Sequence, residues 1–557
     1  MKLLGQQQKK ARLGRYYQIA EVLVRHGLGF MLSILGMDRM APFGKELFNR
    51  GKSTSRPEHI RLAFEELGPT FIKMGQLLST RSDLLPPEYV EELAKLQDQA
   101  PPVPFTFIEK AIETELGRPL SEIFASFDAT PLAAASIGQA HAAVLHDGTE
   151  VVVKVRRPNV VTRVSEDLEI LQNLAVRAQH YWKQAENYDL VGLSQEFAQT
   201  IRAEMDYLRE GKNAERLAKN FTDSKFIHIP QVYWDYTTVS VLTLERIRGV
   251  KINDLEAIDQ AGINRHKLAV NATNAIMKMF YDDGFFHADL HPGNFFIQEN
   301  GQIGLIDFGM VGTLDERTRE LMVQFVIAIA SHDIERLVDV FISLGVTRSR
   351  VDRTMLRRDL DHLIAPYYSL SLGDIALDLM LEEALVIIRR YNLQLPSNLV
   401  LLFKTFMMAE GMGRTLSPSF HLIKIVMPYS KQLMVQQYSP KTWVKKYNRT
   451  VLDTAQLGAE LPGQMRRILA ELERGNIEFS VKHAELEKGL QRIERLTNRV
   501  VISIITAAFI IALAVLTTVY RPQGLDQFAG IFIVGGFLFA SAMGLYLAWT
   551  ILRTNRS

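Results

Sequence analysis

Cysteine is missing altogether from this chain of 557 residues, and with it go disulfides, iron–sulfur clusters and thiolate zinc sites. The absence fits a reducing compartment. An excess of either charge is missing too. Lys and Arg number 64 against 62 Asp and Glu, a formal net charge of +2, which argues against a nucleic-acid-binding surface over the whole protein. The basic N-terminal stretch lacks a small-x-small cleavage site and is poor in serine, so neither a cleaved signal peptide nor an organellar presequence is expected. What is present is a hydrophobic fraction of 47%, enough for a sizeable core. The length suggests roughly two to four units.

The chemistry concentrates in Phe285-Phe286-His287-Ala288-Asp289-Leu290-His291-Pro292-Gly293-Asn294-Phe295-Phe296-Ile297 and the Asp307-Phe308-Gly309 that follows. Apolar runs on either side read as short buried strands. A catalytic Asp289, then Asn294 and Asp307 as Mg²⁺ ligands, is the arrangement of kinase-type phosphoryl transfer. Two other readings compete. His287, Asp289 and His291 alternate along an extended segment and could form a zinc-type cluster, which leaves Asn294 and Asp307 unexplained. A merely polar turn between strands is the blander alternative.

Upstream, Leu132 to Val144 is a small-residue loop running into a strand, His146-Asp147-Gly148-Thr149 is a turn, and Glu150 to Val155 is a β-branched strand carrying Lys154. A lysine so placed can reach nucleotide α and β phosphates while the loop lies over them; a solvated edge-strand lysine is the alternative. The stretch from 162 to 219 reads as helical, and in it Arg202 to Tyr207 offers acids to pair with Lys154. Glu204 stands fifty residues after Lys154, which predicts an extra helix, with Glu166 to Tyr181 the candidate. Val239 to Ile247 reads as a strand entering a linker, where Glu245 and Ile247 would present backbone groups to an adenine. Beyond 313 come apolar-periodic helices such as Leu321 to Ile329, Ile375 to Tyr391 and Leu399 to Met412, without another catalytic cluster.

The two ends read differently. Lys2, Lys9, Lys10, Arg12, Arg15 and Arg25 precede or flank apolar residues at helical spacing, a pattern shared by helices lying on anionic membranes and by ordinary surface helices. At the far end, Val500 to Val519 and Ala529 to Leu552 are runs long enough for a hydrocarbon core of about 30 Å. Basic residues lie before the first run and after the second, with only Arg521 between, so both termini and the catalytic region are expected in the cytoplasm. Gly536, Ala540 and Gly544 give the second run a face for close helix packing. Before the spans, Gly475 to Val481 alternates like a short strand and a charged helix follows.

Over about residues 56 to 480 these motifs, in this order, make the chain resemble the UbiB (ABC1, ADCK) family of atypical protein-kinase-like proteins. The resemblance rests on Lys73-Met74-Gly75-Gln76, the Ser79-to-Pro86 run, the alanine loop Ala133-Ala134-Ala135-Ser136-Ile137-Gly138-Gln139, Glu204-Met205-Asp206, the His287-to-Asn294 motif and Asp307-Phe308-Gly309. It implies an α+β fold: a two-lobed kinase-like body with an N-terminal helical extension and a C-terminal transmembrane hairpin. The divisions expected are a basic region 1–55, the extension 56–125, an N-lobe 126–247, a C-lobe 248–470, a juxtamembrane strand and helix 471–499, and two transmembrane helices 500–552. The resemblance implies that Lys154 holds nucleotide phosphates and pairs with Glu204. Asp289 would be the catalytic residue, Asn294 and Asp307 the Mg²⁺ ligands, and Ala133, Ala134, Ala135 and Ser136 the cover over ATP or ADP. Lys73 and Gln76 would belong to an extension that folds over the site and suppresses protein phosphorylation. Expected partners are membrane lipids, isoprenoid-quinone precursors, quinone-biosynthesis proteins and a second copy of the chain, with no nucleic acid. The activity implied is an ATPase or atypical kinase tied to isoprenoid-quinone biosynthesis or lipid handling. A small-molecule phosphotransferase and a nucleotide-switched, non-catalytic lipid-binding scaffold are the other readings.

Overall fold

The computed structural model describes residues 2–35, 57–96, 100–182, 189–347, 351–367, 377–391, 393–426 and 428–429, with isolated positions beyond 503. Two compact units divide the chain, Met1–Trp443 and Val444–Ser557; the elements below all belong to the first.

The chain begins with α1 (Lys2–Arg25) and α2 (Phe30–Ile34), followed by α3 (Pro57–Leu67), α4 (Pro69–Thr80) and α5 (Pro87–Ala94). Gly68 and Pro69 separate α3 from α4, as a proline at a helix start favours. These helices share one core, in which Ile19, Val22, Leu23, Phe64, Leu67, Phe71 and Leu93 pack with Ile170 and Leu174 from a later helix. The apolar face of α1 over Ile19 to Leu23 is therefore protein core. For these residues the structure corrects the membrane-lying reading in favour of a packed helix. Arg15 also turns inward, with Nε 2.7 Å from Asp167 Oδ1 and Nη2 donating to Leu67 O at 2.8 Å. In α4, a Cβ on Gly75 would lie 2.1 Å from Leu96 Cδ1, so glycine is what lets α4 approach its neighbours.

After α6 (Phe105–Leu116) and α7 (Leu120–Ile123) the chain builds a five-stranded sheet. Its strands are β1 (Ser126–Phe127), β2 (Ala133–Ala134), β3 (Gly138–Val144) and β4 (Glu150–Arg156), joined later by a fifth. Alternation on β4 buries Val151, Val153 and Val155 against α6 and turns Lys154 to the opposite face. Helices α8 (Val160–Tyr181), α9 (Leu190–Glu204) and α10 (Tyr207–Asn220) come next. The expected extra helix is thus two helices, α8 and α9, interposed before α10. Strand β5 (Ile227–His228) precedes β6 (Val241–Glu245), which closes the sheet beside β4 with Leu242 opposite Lys154.

The C-lobe opens with β7 (Val250–Lys251), α11 (Leu255–Gln260) and α12 (Arg265–Met277), which widens into a π-helical turn over Lys278–Asp283. Strands β8 (Phe285–His287), β9 (Phe295–Ile297), β10 (Ile303–Leu305) and β11 (Val311–Thr313) follow. β10 lies between β5 and β9, while β8 pairs with β11 so that Val311 faces His287. Helices α13 (Glu316–Ala330) and α14 (Ile334–Leu344) lead to β12 (Val346–Thr347) and α15 (Arg353–Ile364). The described fold ends with α16 (Leu377–Arg390), β13 (Leu393–Gln394) and α17 (Ser397–Leu416). Phe280 packs edge-on against Phe286 and tilted against Phe406 in the core of this lobe, with ring centroids 4.7 and 5.0 Å apart.

Among the described residues no helix is long and apolar enough to cross a membrane. The two apolar runs from 500 to 552, and the strand and charged helix expected before them, lie outside the described residues apart from isolated positions. Four of these, Ile504, Ile511, Leu538 and Phe539, are exposed.

Candidate active site

Lys154 anchors the site. Its ammonium lies 2.5 Å from Glu210 Oε1 and 3.7 Å from Asp307 Oδ2. Burial works against the charged lysine, but Asp307 and Glu210 outweigh it and raise its pKa. The expected pairing of Lys154 with Glu204 is not formed. Glu204 ends α9 and pairs instead with Lys73 of α4, while Asp206 caps α10 by accepting from Leu208 N at 3.1 Å. One turn further on, Tyr207, Glu210, Gly211, Ala214 and Leu217 form the buried stripe of α10. Glu210 is a carboxylate in a place the helical period reserves for core, and that is the signal by which the sequence marks it.

The Asp-Phe-Gly segment is fixed on both sides. Asp307 Oδ1 accepts from Gly309 N at 2.9 Å, Asn213 Nδ2 donates to Phe308 O at 3.0 Å, and Phe308 is fully buried. Burial alone would discourage ionisation of Asp307. Lys154, the Gly309 amide and Lys73 reverse this and hold its pKa at about 2. Its carboxylate is nevertheless 48% exposed, so it faces an open cleft as an anion.

Asn294 lies beside Asp289, with Nδ2 donating to Asp289 Oδ2 at 3.0 Å and to Asp289 O at 3.2 Å. This orientation leaves the Asn294 side-chain oxygen as a donor atom for a cation. Oxygen donors from Asn294 and Asp307 suit a hard divalent ion. His287 is buried and clasps both segments. Its Nδ1 accepts from Asp289 N at 3.2 Å, and its Nε2 donates to Asp307 O. With burial lowering its pKa, the ring is held neutral. Both ring nitrogens are thereby occupied, which removes the zinc-type reading of His287, Asp289 and His291. Among the described residues no group of three or more His, Asp or Glu side chains is placed to hold a metal.

The alanine loop is a tight hairpin. Ala133 pairs with Ala140 and Ala134 with Gln139, and Ala135 N donates to Gly138 O at 2.8 Å. A Cβ at Gly138 would lie 2.2 Å from Tyr207 Oη and 2.9 Å from Val155 O, so this residue lets the loop sit down on α10 and β4. None of the alanines has a positive φ. Replacing Ala134 with glycine therefore opens conformations that the loop now lacks. The expected outcome is a shift of roughly threefold or more in the ratio of ATP to ADP affinity; an unchanged ratio by calorimetry would speak against the loop as a nucleotide cover.

The remaining sequence-selected residues divide. Glu245 is engaged inside the N-lobe, its carboxylate accepting from His228 Nε2 and Gln231 N, both at 3.1 Å, and its amide donating to Gln231 O. Ile247 lies past β6 against Gly304, without a backbone hydrogen bond among the described residues, and is the better placed of the two to meet an adenine edge. Ser136 is buried. Gln76 donates from Nε2 to Leu96 O at 3.0 Å, and Lys73 is the extension residue that pairs with Glu204. The Ser79-to-Pro86 run docks on the C-lobe. Arg81 makes two 2.8 Å bonds to Asp83 and one of 3.3 Å to Ser397, and Arg389 donates to Ser82 O.

Two lobes with a lysine–glutamate pair above an Asp-Phe-Gly aspartate define a protein-kinase-like molecule. The pattern of the ABC1 atypical kinase-like domain matches residues 95–341, that of the UbiB helical domain residues 360–421, and that of the ABC1/UbiB kinase-like C-terminal domain residues 484–553. The chain is 32% identical to a "Probable protein kinase UbiB" of Xylella fastidiosa, over 96% of this chain and 99% of that protein. A protein of the same name from Marinobacter nauticus is 34% identical, over 83% of this chain and 86% of its own. An uncharacterized protein in the hydrogenase 1 5′ region of Clostridium pasteurianum is 33% identical over 97% and 99%. The chain belongs to the ABC1/UbiB family.

Proposed function

We propose that this protein is a Mg²⁺-dependent ATPase or atypical kinase, held at a membrane by the hairpin at 500–552 and serving isoprenoid-quinone biosynthesis or membrane-lipid handling. The observation that carries the catalytic part is the position of Lys154 between Glu210 and Asp307, at 2.5 and 3.7 Å, in the cleft that also holds Asp289 and Asn294. Asn294 and Asp307 would hold the ion, which would offset phosphate charge. Lys154 would bind the phosphates and Asp289 would orient the attacking oxygen of water or of an acceptor hydroxyl. The extension helix α4 reaches this site through Lys73 and its following run docks on α17. That closure favours water or a small acceptor over a folded protein substrate.

Phosphate release from Mg-ATP by the full chain in detergent, with and without anionic lipid, is the discriminating measurement. Steady release that rises with lipid is expected. Tight nucleotide binding with no release under either condition would replace the ATPase reading with that of a nucleotide-switched scaffold.

A further inference from the structure

Three lysines bring positive charge to the site, and two of them are already matched. Lys154 is paired with Glu210 and close to Asp307, and Lys73 is paired with Glu204. The third, Lys404, was not singled out by any sequence motif. It lies on α17, two turns after Ser397 and so on the same face of that helix. Ser397 meets Arg81 from the extension, and Asn398 approaches Thr313 of β11, the strand whose Val311 pairs with His287. Through Ser397 that face of α17 meets the extension, and the neighbouring Asn398 brings the same helix to the strand that pairs with Phe285–His287.

Lys404 is half-buried, between the buried Phe403 and Thr405. It forms no hydrogen bond or ion pair among the described residues. Burial pulls its pKa down, and Asp289 is the charge that acts against this. An ammonium partly removed from water without a hydrogen-bonded anion is costly to keep unless a ligand completes it.

Resting on the ATPase or kinase reading above, we propose that Lys404 is a further catalytic residue, the cation that meets the γ-phosphoryl group beside Asp289. In the reaction the bond between the γ-phosphorus and the β–γ bridging oxygen breaks as one forms to the oxygen of water or of an acceptor hydroxyl. That oxygen's proton passes to Asp289 and ADP departs. Lys404 keeps its own protons throughout and offsets the charge on the non-bridging γ oxygens, while Lys154 and Lys73 are engaged by Glu210 and Glu204.

An acyl-phosphate derivative of ATP tests the placement without requiring turnover. A lysine close to the terminal phosphate attacks the acyl carbonyl, forms an amide and releases ATP, and peptide mass spectrometry locates the tag. With the full chain in detergent, Lys404 is expected to carry the tag, and excess ATP should suppress it at least about fivefold by competition. In parallel, Lys404→Ala is expected to lower kcat for phosphate release roughly 100-fold with nucleotide Kd changed less than about threefold, and Lys404→Arg to recover much of the loss. A tag on Lys154 or Lys73 but not on Lys404, or an unchanged kcat in Lys404→Ala, overturns the inference and leaves the nucleotide site standing. A tag on none of the three overturns the nucleotide reading, and the inference with it.

Discussion

Glu210→Ala is expected to destabilise the protein by about 3–5 kcal/mol, because it takes the nearest partner from a largely buried Lys154 ammonium. The two side chains are only 18% and 7% exposed, so solvent cannot take over the lost contact. The amide of Phe308, 3.4 Å from the same carboxylate oxygen, loses that acceptor as well. Glu204→Ala breaks the pair with Lys73 and should cost less, about 1–2 kcal/mol, because Glu204 is 22% exposed against 7% for Glu210. Urea unfolding of the two variants, monitored by tryptophan fluorescence, separates the cases. Equal losses, or a larger loss for Glu204→Ala, would mean that the pairing partner of Lys154 has been misassigned. Nucleotide affinity should follow the same order, since Lys154 without Glu210 is free to collapse onto Asp307.

Much of this architecture is legible in the sequence because the periodicities are strong and the punctuation is unambiguous. The alternation of Val151, Val153 and Val155 is enough by itself to place Lys154 on the opposite face of its strand, the one that lines the cleft. The Gly68-Pro69 break falls between α3 and α4, and the predicted helices at Leu321–Ile329 and Leu399–Met412 fall inside α13 and α17. What is not legible is the pairing of charges, since it depends on how helices inserted between β4 and α10 turn their faces. Glu204 and Glu210 are separated by less than two turns of chain, yet the cap at Asp206 rotates one toward the extension and the other toward the cleft. In α1 the mixture of basic and apolar residues fits lipid and protein core equally well. Only the presence of Phe64, Leu67 and Leu93 across from Ile19 and Leu23 settles which the helix covers.

Asp307→Asn is expected to lower Mg-ATP turnover by roughly a thousandfold or more while leaving the fold in place. The substitution is nearly isosteric and keeps an oxygen to accept from Gly309 N, so the Asp-Phe-Gly turn retains its 2.9 Å bond. Lys154 keeps Glu210 at 2.5 Å, and Phe308 stays buried. What disappears is a full negative charge facing the cleft, and with it a carboxylate for the ion and the largest electrostatic support of the Lys154 ammonium. The sign of the pH dependence follows from the same residue. Its pKa is depressed to about 2, so its ionised form is fully present above the unfolded-state value of about 3.9 and is lost only as pH falls towards 2. Any acid limb of turnover seen between about pH 5 and 7 must therefore belong to another group, and the residual rate of Asp307→Asn should keep that limb at the same pH. Phosphate release against Mg²⁺ concentration, at several pH values and with circular dichroism as the folding control, measures all of this at once. Undiminished hydrolysis by a folded Asp307→Asn protein would remove Asp307 from the metal site and require the cleft to be reassigned around Asp289 and Asn294.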